Sequence, residues 1–121
     1  MADVQVLSGL SCQQFINGQL IDGEGQQECI VNPANGETLI VLTEASSAQV
    51  GSAVKAAQQA FGHWSRTTPA QRAALLLRIA DAIERQAPQL AQLEALNCGK
   101  PLHQALNDDL PAAVDVFRFF A

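Results

Sequence analysis

The chain has 121 residues, of which 48% are hydrophobic and 16% are charged, a composition that suits one globular domain or a piece of a larger one. The formal net charge is -5, and six acidic residues precede the first cationic residue, Lys55. A nucleic-acid-binding protein needs a cationic stripe to displace counterions from phosphates, so this class is excluded.

No segment of the sequence is apolar over the ~18 residues of a membrane-spanning helix. The first residues, MADVQVLSGLSCQQF, have no basic segment and include Asp3, which is untypical of a signal peptide. The three cysteines are an odd number in a cysteine-poor chain, which favours a reducing compartment over a disulfide framework. We therefore expect a cytoplasmic protein that is not attached to a membrane.

The front third of the sequence predicts β-structure. Asn17-Gly18 separates two short apolar runs, and this pair favours a hairpin turn because both residues tolerate a positive φ. The next stretch, GEGQQE at residues 23–28, starts like a dinucleotide-binding loop, but no third glycine and no βαβ unit follow. We interpret this stretch as a hairpin loop.

A second pair of strands is predicted around the turn that contains Pro33 and Asn35-Gly36. Its second strand includes residues 39–42, which are apolar without alternation, and such a run predicts a strand that is covered on both faces. Cys29, on the first strand, has no basic or helical setting that would activate its thiol, so we expect it to face inward.

From residue 46 the pattern becomes helical. Ser46 and Gln49 have the spacing of a capping box, in which side chains satisfy the free N–H groups of the first turn. Thr68-Pro69 begins a second helix with proline at the first position, where its missing N–H costs nothing. Each helix has an apolar stripe at spacings of three and four: Val50, Val54, Ala57, Phe61 and Trp64 in the first, and Leu75, Leu76, Ile79, Ala80 and Ile83 in the second.

A third helix is predicted after Pro88, with an end at Gly99 in a left-handed conformation. Its apolar residues are Leu90, Leu93 and Leu96. Cys98 lies at the predicted C-terminus, where the helix dipole opposes a thiolate, and nothing in the spacing fixes His103 as its base. We interpret Cys98 as a small buried residue at a helix end.

The last helix is predicted to begin at Asp108 or Asp109, whose carboxylates are interpreted as caps, with Pro111 in the first turn. A functional role for these two acids is the alternative. His63 is interpreted as a solvent-facing residue at a helix end, and no cluster of metal ligands accompanies it. The sequence stops after FRFFA, among aromatic residues that need a packing partner, so we expect further protein on this side.

Five segments in this order resemble the N-terminal part of the NAD(P)-dependent aldehyde dehydrogenase superfamily. They are FINGQLIDG, VNPANGETL, EASSAQVGSAVKAAQQAFGHW, TTPAQRAALLLRIADAIERQAPQLAQLEALNCGKPLHQAL and DDLPAAVDVFRFFA. The resemblance runs from about Phe15 to Ala121. The NCGKP variant and the last segment are most similar to γ-aminobutyraldehyde dehydrogenases, which oxidise 4-aminobutanal and related ω-aminoaldehydes from polyamine breakdown.

The resemblance implies an α/β fold for the complete protein. For this segment it implies an α+β organisation: a tail (residues 1–14), a β-hairpin region (15–45) and a helical part of about four helices (46–121). In the family a cysteine thiolate attacks the aldehyde, hydride passes to NAD, and a glutamate-activated water releases the acid. The family's catalytic residues and nucleotide domain would follow residue 121, so the resemblance assigns no catalytic and no cofactor-binding residue here.

Two further sites are implied by the resemblance. Main-chain carbonyls at Ile30, Val31 and Asn97 match positions that hold a structural monovalent cation, Na+ or K+, in several members. Asp109 and Ala112 match the substrate entrance, where an acid would attract the ammonium group of an aminoaldehyde.

Two hypotheses follow for the chain as a whole. In the first, it is the N-terminal part of an NAD-dependent aldehyde dehydrogenase, inactive alone and a homo-oligomer, dimer or tetramer, when complete. In the second, it is a non-catalytic truncated module that associates with intact dehydrogenase subunits through its apolar helix faces. The abrupt end at FRFFA favours the first hypothesis.

Overall fold

The computed structural model describes Leu7 and residues 9–121. Within this part of the chain, two small antiparallel sheets precede the helical part. The strands are β1 (Gln14–Ile16), β2 (Gln19–Ile21), β3 (Gln27–Val31) and β4 (Thr38–Thr43). The helical elements are α1 (Ser47–Trp64), α2 (Pro69–Arg85), α3 (Ala87–Cys98), α4 (Leu102–Gln104), a π-helical turn (Ala105–Asp109) and α5 (Leu110–Phe119). The α+β organisation predicted from the sequence is confirmed.

Both predicted hairpins are present. β1 pairs with β2 through a turn in which Asn17 has a φ of 52° and Gly18 a φ of 77°, the left-handed conformation that this pair tolerates well. β3 pairs with β4, and Gly36 in the connecting turn has a φ of 74°. The register of this second ladder shifts between Ile30 and Val31, next to the turn.

The loop between β2 and β3, which contains the GEG sequence, is not the hairpin loop that the sequence predicted. It connects two separate sheets, and β2 is not paired with β3. A Cβ atom at Gly23 would collide with the carbonyl oxygen of Thr43, and Gly25 donates its N–H to the carbonyl of Glu44 at 2.8 Å. The loop therefore runs closely against the end of β4, and this approach requires residues without side chains.

Both capping boxes are confirmed. The hydroxyl of Ser46 accepts the N–H of Gln49 at 3.2 Å, and the Gln49 side chain accepts the N–H of Ser46 at 3.0 Å. Thr68 and Gln71 make the same reciprocal pair at 3.3 and 2.9 Å. Gly99 ends α3 with a φ of 69°, as predicted.

Asp108 and Asp109 do not cap the last helix, in contrast to the prediction. The helical backbone begins earlier, in α4, and continues through the π-helical turn into α5 without a side-chain cap. Leu110 donates its N–H to the carbonyl of Ala105, the wide hydrogen bond of a π-helix. This turn precedes Pro111, which lacks an N–H and whose ring would clash with the carbonyl four residues before it in a regular α-helix.

The buried core of the chain is small. Within the described residues no large side chain is fully buried, and the buried apolar residues are Ala80, Ala91, Ala105 and Val114. α2 packs against α5, and Arg118 of α5 pairs with Asp81 and Glu84 of α2 at 3.3 and 2.6 Å. The helices thus contact each other through small buried residues and half-buried leucine and isoleucine side chains, with an exposed group of ion pairs beside them.

One strand that the sequence predicted to be covered on both faces is partly open to solvent. Val41 of β4 is 49% exposed, so this strand is not covered on both faces by this chain. The apolar stripe of α1 is also exposed along its length. No helix in the described part of the chain combines the length and the hydropathy that crossing a lipid bilayer requires. The N-terminal segment with Asp3 lies outside the described residues.

Candidate functional site

A cluster of charged side chains lies at the turn between α3 and α4. The ammonium of Lys100 pairs with the carboxylate of Asp109 and lies 3.8 Å from Oε1 of Glu94. Gly99 reverses the chain at the end of α3, and the π-helical turn carries Asp109 back towards this reversal. The pair therefore links the end of α3 to the start of α5.

The pKa of Lys100 is raised from its ordinary value of 10.5, because the hydrogen bond to Asp109 stabilises the charged ammonium. Partial burial lowers this pKa, whereas the charges of Asp109 and Glu94 raise it further. Lys100 is consequently cationic near neutral pH, and Asp109 already has a cationic partner. A substrate ammonium at Asp109 would share the carboxylate with Lys100.

The two residues predicted at the substrate entrance lie on one continuous stretch of helix. Asp109 ends the π-helical turn, and Ala112 is exposed in the first turn of α5. Asp108 is also exposed and, within the described residues, forms no ion pair. Sequence reasoning missed the role of Lys100, since its separation of nine residues from Asp109 follows no helical period.

Cys98 is exposed at the end of α3, not buried as the sequence predicted. Gly99 turns the chain away directly after it, so no later element covers the thiol. The Cys98 thiol donates a hydrogen bond to Oε1 of Glu94 at 3.5 Å. Among the described residues His103 makes no hydrogen bond to this thiol. The cluster around Lys100 therefore pairs the Cys98 thiol with a carboxylate and not with a histidine base.

The other residues that the sequence singled out are dispersed. Cys29 on β3 is exposed, contrary to the inward orientation predicted, because only one face of this two-stranded sheet is packed. Cys12 is half-buried, and His63 is exposed in the last turn of α1, as expected. In the part of the chain that the structure describes, no three His, Cys, Asp or Glu side chains converge on a metal-sized site.

The residues predicted to hold a monovalent cation come together only in part. Ile30 and Asn97 line one cavity of about 330 Å³, whose other walls are mostly leucine and isoleucine. Val31 does not line this cavity and is 49% exposed. Gly99 lies close by, since a Cβ atom there would be 2.8 Å from Cγ of Pro33. Ser11 and Glu94 also line the cavity, so a cation there would not depend on main-chain oxygens alone.

Gln49 forms a second polar junction, and it is the buried polar residue of the described chain. Its amide nitrogen donates to the carbonyl of Asp22 at 2.7 Å, and its amide oxygen accepts the N–H of Glu24 at 3.0 Å. The capping box predicted the bond to Ser46 but not these contacts with the loop between the sheets. The sequence gives no signal for them, because they join residues more than twenty positions apart.

Comparison with known proteins identifies the class to which this fold belongs. Residues 20–121 match the model of the aldehyde dehydrogenase family. Fluoroacetaldehyde dehydrogenase from Streptantibioticus cattleyicolor is 44% identical over 98 residues, which are 81% of this chain and 19% of that protein. The chain spans 12% to 22% of the length of the curated relatives that it matches.

Solved structures of aldehyde dehydrogenases also match this chain. The NAD+ complex of an aldehyde dehydrogenase from Bacillus cereus matches 98% of this chain with a TM-score of 0.87 and 39% identity, and the match covers 25% of that protein. The NAD+ complex of betaine aldehyde dehydrogenase from Staphylococcus aureus matches 98% of this chain with a TM-score of 0.92 and 30% identity, over 24% of that protein. The fold is thus shared with oxidoreductases. More narrowly, the chain belongs to the aldehyde dehydrogenase family.

Proposed function

We propose that these residues form the N-terminal part of an NAD-dependent aldehyde dehydrogenase that oxidises an aldehyde to the carboxylic acid. The observation that supports this proposal is the match of 98% of the chain to an aldehyde dehydrogenase from Bacillus cereus with bound NAD+. The chain corresponds to 25% of that protein. The complete enzyme is further proposed to be a cytoplasmic homo-oligomer.

The residues of this chain do not themselves fit NAD. Its G-x-G sequence, at Gly23 and Gly25, packs against the main-chain carbonyls of Thr43 and Glu44. Carbonyl oxygens repel a pyrophosphate, whereas dinucleotide sites present free N–H groups at a helix N-terminus. We therefore assign NAD binding and catalysis to other parts of the enzyme, and we expect the 121-residue chain to be inactive alone.

The proposed substrate is 4-aminobutanal or a related ω-aminoaldehyde. Asp109 and its neighbour Asp108 give the proposed entrance a local excess of negative charge, even with Lys100 paired to Asp109. An acidic entrance attracts a cationic substrate tail, more strongly at low ionic strength. The name of the Staphylococcus aureus relative gives betaine aldehyde as the substrate of that protein, and betaine aldehyde is also cationic.

A structural monovalent cation, Na+ or K+, is proposed at the main-chain carbonyls of Ile30, Val31 and Asn97. Ile30 and Asn97 already line one cavity, which supports the proposal for these two residues. The role of such a cation would be to hold the end of β3 against the end of α3. It would take no part in the reaction.

The substrate proposal is tested with the enzyme encoded by the gene that contains these 121 codons. NADH formation is measured with 4-aminobutanal and with butanal, which has the same length but no ammonium group. We expect Asp109→Asn to lower the ratio of the two kcat/KM values about tenfold, the effect of one lost charge contact of ~1.4 kcal/mol. Asp115→Asn, an exposed acid farther along α5, is the matched control and should keep the ratio.

Two results would contradict the proposal. The role of the acidic entrance is contradicted if the complete enzyme does not prefer 4-aminobutanal over butanal. It is also contradicted if Asp109→Asn leaves this preference unchanged. Aldehyde-dependent NADH formation by the purified 121-residue chain removes the assignment of catalysis to other parts of the enzyme.

A further inference from the structure

The ammonium group of Lys100 lies between two carboxylates at the proposed substrate entrance. It donates a hydrogen bond to Oδ2 of Asp109 and lies 3.8 Å from Oε1 of Glu94. The side chain of Lys100 is 27% exposed, against 39% for Asp109 and 43% for Glu94, so the lysine is the most covered of the three. The proposed entrance therefore already contains an alkylammonium group, which the chain itself supplies.

The Lys100 side chain has the same chemistry as the tail of the proposed substrate. Each is a primary ammonium group on an unbranched alkyl chain, so each offers a carboxylate the same N–H donors and the same charge. Lys100 is only nine residues from Asp109 in the chain, and a tethered group competes at an effective concentration on the order of millimolar. A substrate ammonium must therefore displace Lys100 from Asp109 or accept a weaker contact with a carboxylate that Lys100 has neutralised.

No other cation in the described part of the chain forms an ion pair with Asp109. Arg118 of α5 is engaged with Asp81 and Glu84 of α2. The hydrogen bond to Asp109 also raises the pKa of Lys100, so Lys100 keeps its charge throughout the neutral pH range. Access of a substrate ammonium to Asp109 thus depends on one residue.

We propose that Lys100 is a specificity-determining residue of the aldehyde dehydrogenase, which weakens the selection of cationic aldehydes by occupying Asp109. This inference rests on the proposed function, since it takes Asp109 to lie at the substrate entrance. An aldehyde with a carboxylate tail gains from the same arrangement, because Lys100 offers it a cation. Lys100 and Asp109 together set the balance between cationic and anionic substrates.

The test uses the complete enzyme encoded by the gene that contains these 121 codons. Its substrates are 4-aminobutanal, butanal and 4-oxobutanoate, which share a four-carbon chain and have an ammonium, a neutral and a carboxylate tail. Lys100→Met removes the charge and keeps a long unbranched side chain. We expect kcat/KM for 4-aminobutanal relative to butanal to rise about threefold to fivefold, the effect of one partly exposed charge contact. The same ratio for 4-oxobutanoate should fall.

Three comparisons separate this charge effect from a structural one. Lys100→Arg keeps a cation beside Asp109 and should hold both ratios within about twofold of the parent. Lys55→Met removes an exposed cation of α1 and should leave both ratios unchanged. In the Asp109→Asn background, Lys100→Met should change the ratio for 4-aminobutanal by less than about twofold, because no carboxylate is left to release.

The inference is overturned if Lys100→Met shifts neither ratio, shifts both in the same direction, or gives the same gain in the Asp109→Asn background. The proposed function survives those results as long as Asp109→Asn alone lowers the preference for 4-aminobutanal. A parent enzyme that lacks this preference and acquires it in Lys100→Met supports the inference and contradicts the proposed substrate. Thermal unfolding verifies that each variant is folded, and Lys100→Gln, which is also uncharged, replaces Lys100→Met if the latter is not.

Discussion

The side-chain amide of Gln49 donates to the main-chain carbonyl of Asp22 at 2.7 Å, and its oxygen accepts the N–H of Glu24 at 3.0 Å. The same oxygen accepts the N–H of Ser46 at the start of α1. One buried side chain therefore caps a helix and fixes the loop that joins the two sheets. This junction sets the direction in which α1, with its apolar stripe, leaves the β-structure.

Replacing Gln49 by alanine should destabilise the chain. The substitution leaves two N–H groups and one carbonyl without their partner in a buried place, and each such loss costs about 1–3 kcal/mol unless water replaces it. We expect the free energy of unfolding to fall by about 2 kcal/mol or more, measured by urea denaturation. Gln59→Ala, at an exposed position of the same helix, should change it by less than about 0.5 kcal/mol. Equal effects of the two substitutions would show that Gln49 acts only through helix propensity.

Replacing Gly23 and Gly51 by alanine, one at a time, should have opposite effects on the stability of the chain. Gly23→Ala places a Cβ atom against the carbonyl of Thr43, so the loop must move and the melting temperature should fall. Gly51→Ala adds a methyl group in open space within α1 and should stabilise the chain by about 0.5–1 kcal/mol. Thermal unfolding of both variants beside the parent chain measures the effects. Stabilisation by Gly23→Ala would contradict the close contact.

The ion pair between Lys100 and Asp109 should be visible in the titration of Lys100. Its pKa lies above 10.5, so the pair stabilises the fold below that pH, and this contribution is lost as the pH rises through the folded-state pKa. Asp109→Asn should lower the pKa of Lys100 towards 10.5, as followed by NMR of the lysine side chain. Asp108→Asn is the control and should leave the titration unchanged, since Asp108 is not a cause of the shift. A Lys100 titration that is the same in Asp109→Asn and the parent would refute the pairing.

Cys98 should be dispensable for catalysis. Its thiol is exposed at the end of α3 and donates a hydrogen bond to the carboxylate of Glu94 at 3.5 Å, with no histidine of the described chain bonded to it. In the complete enzyme, Cys98→Ser should keep kcat and KM within about twofold of the parent, because no substrate contact is lost. Loss of NADH formation in this variant, with an unchanged melting temperature, would return Cys98 to the candidates for the nucleophile.

The local elements of this protein were determined by its sequence. Asn17-Gly18 set the first hairpin through their tolerance of positive φ, and Ser46 with Gln49 set the start of α1 through hydrogen bonds within one helical turn. Gly99 set the end of α3 through its positive φ of 69°. These features depend on interactions between near neighbours in the chain, so the residue types and their spacing are enough to predict them.

The tertiary structure alone decided which side chains are covered and which charges meet. Residues 39–42 have the pattern of a strand covered on both faces, but burial depends on what packs against them, and in this chain Val41 is 49% exposed while its neighbours are half-buried. Lys100 meets Asp109 because a left-handed turn and a π-helical turn bring distant positions together. Contacts of this kind depend on the path of the backbone in space, which no periodicity in the sequence records.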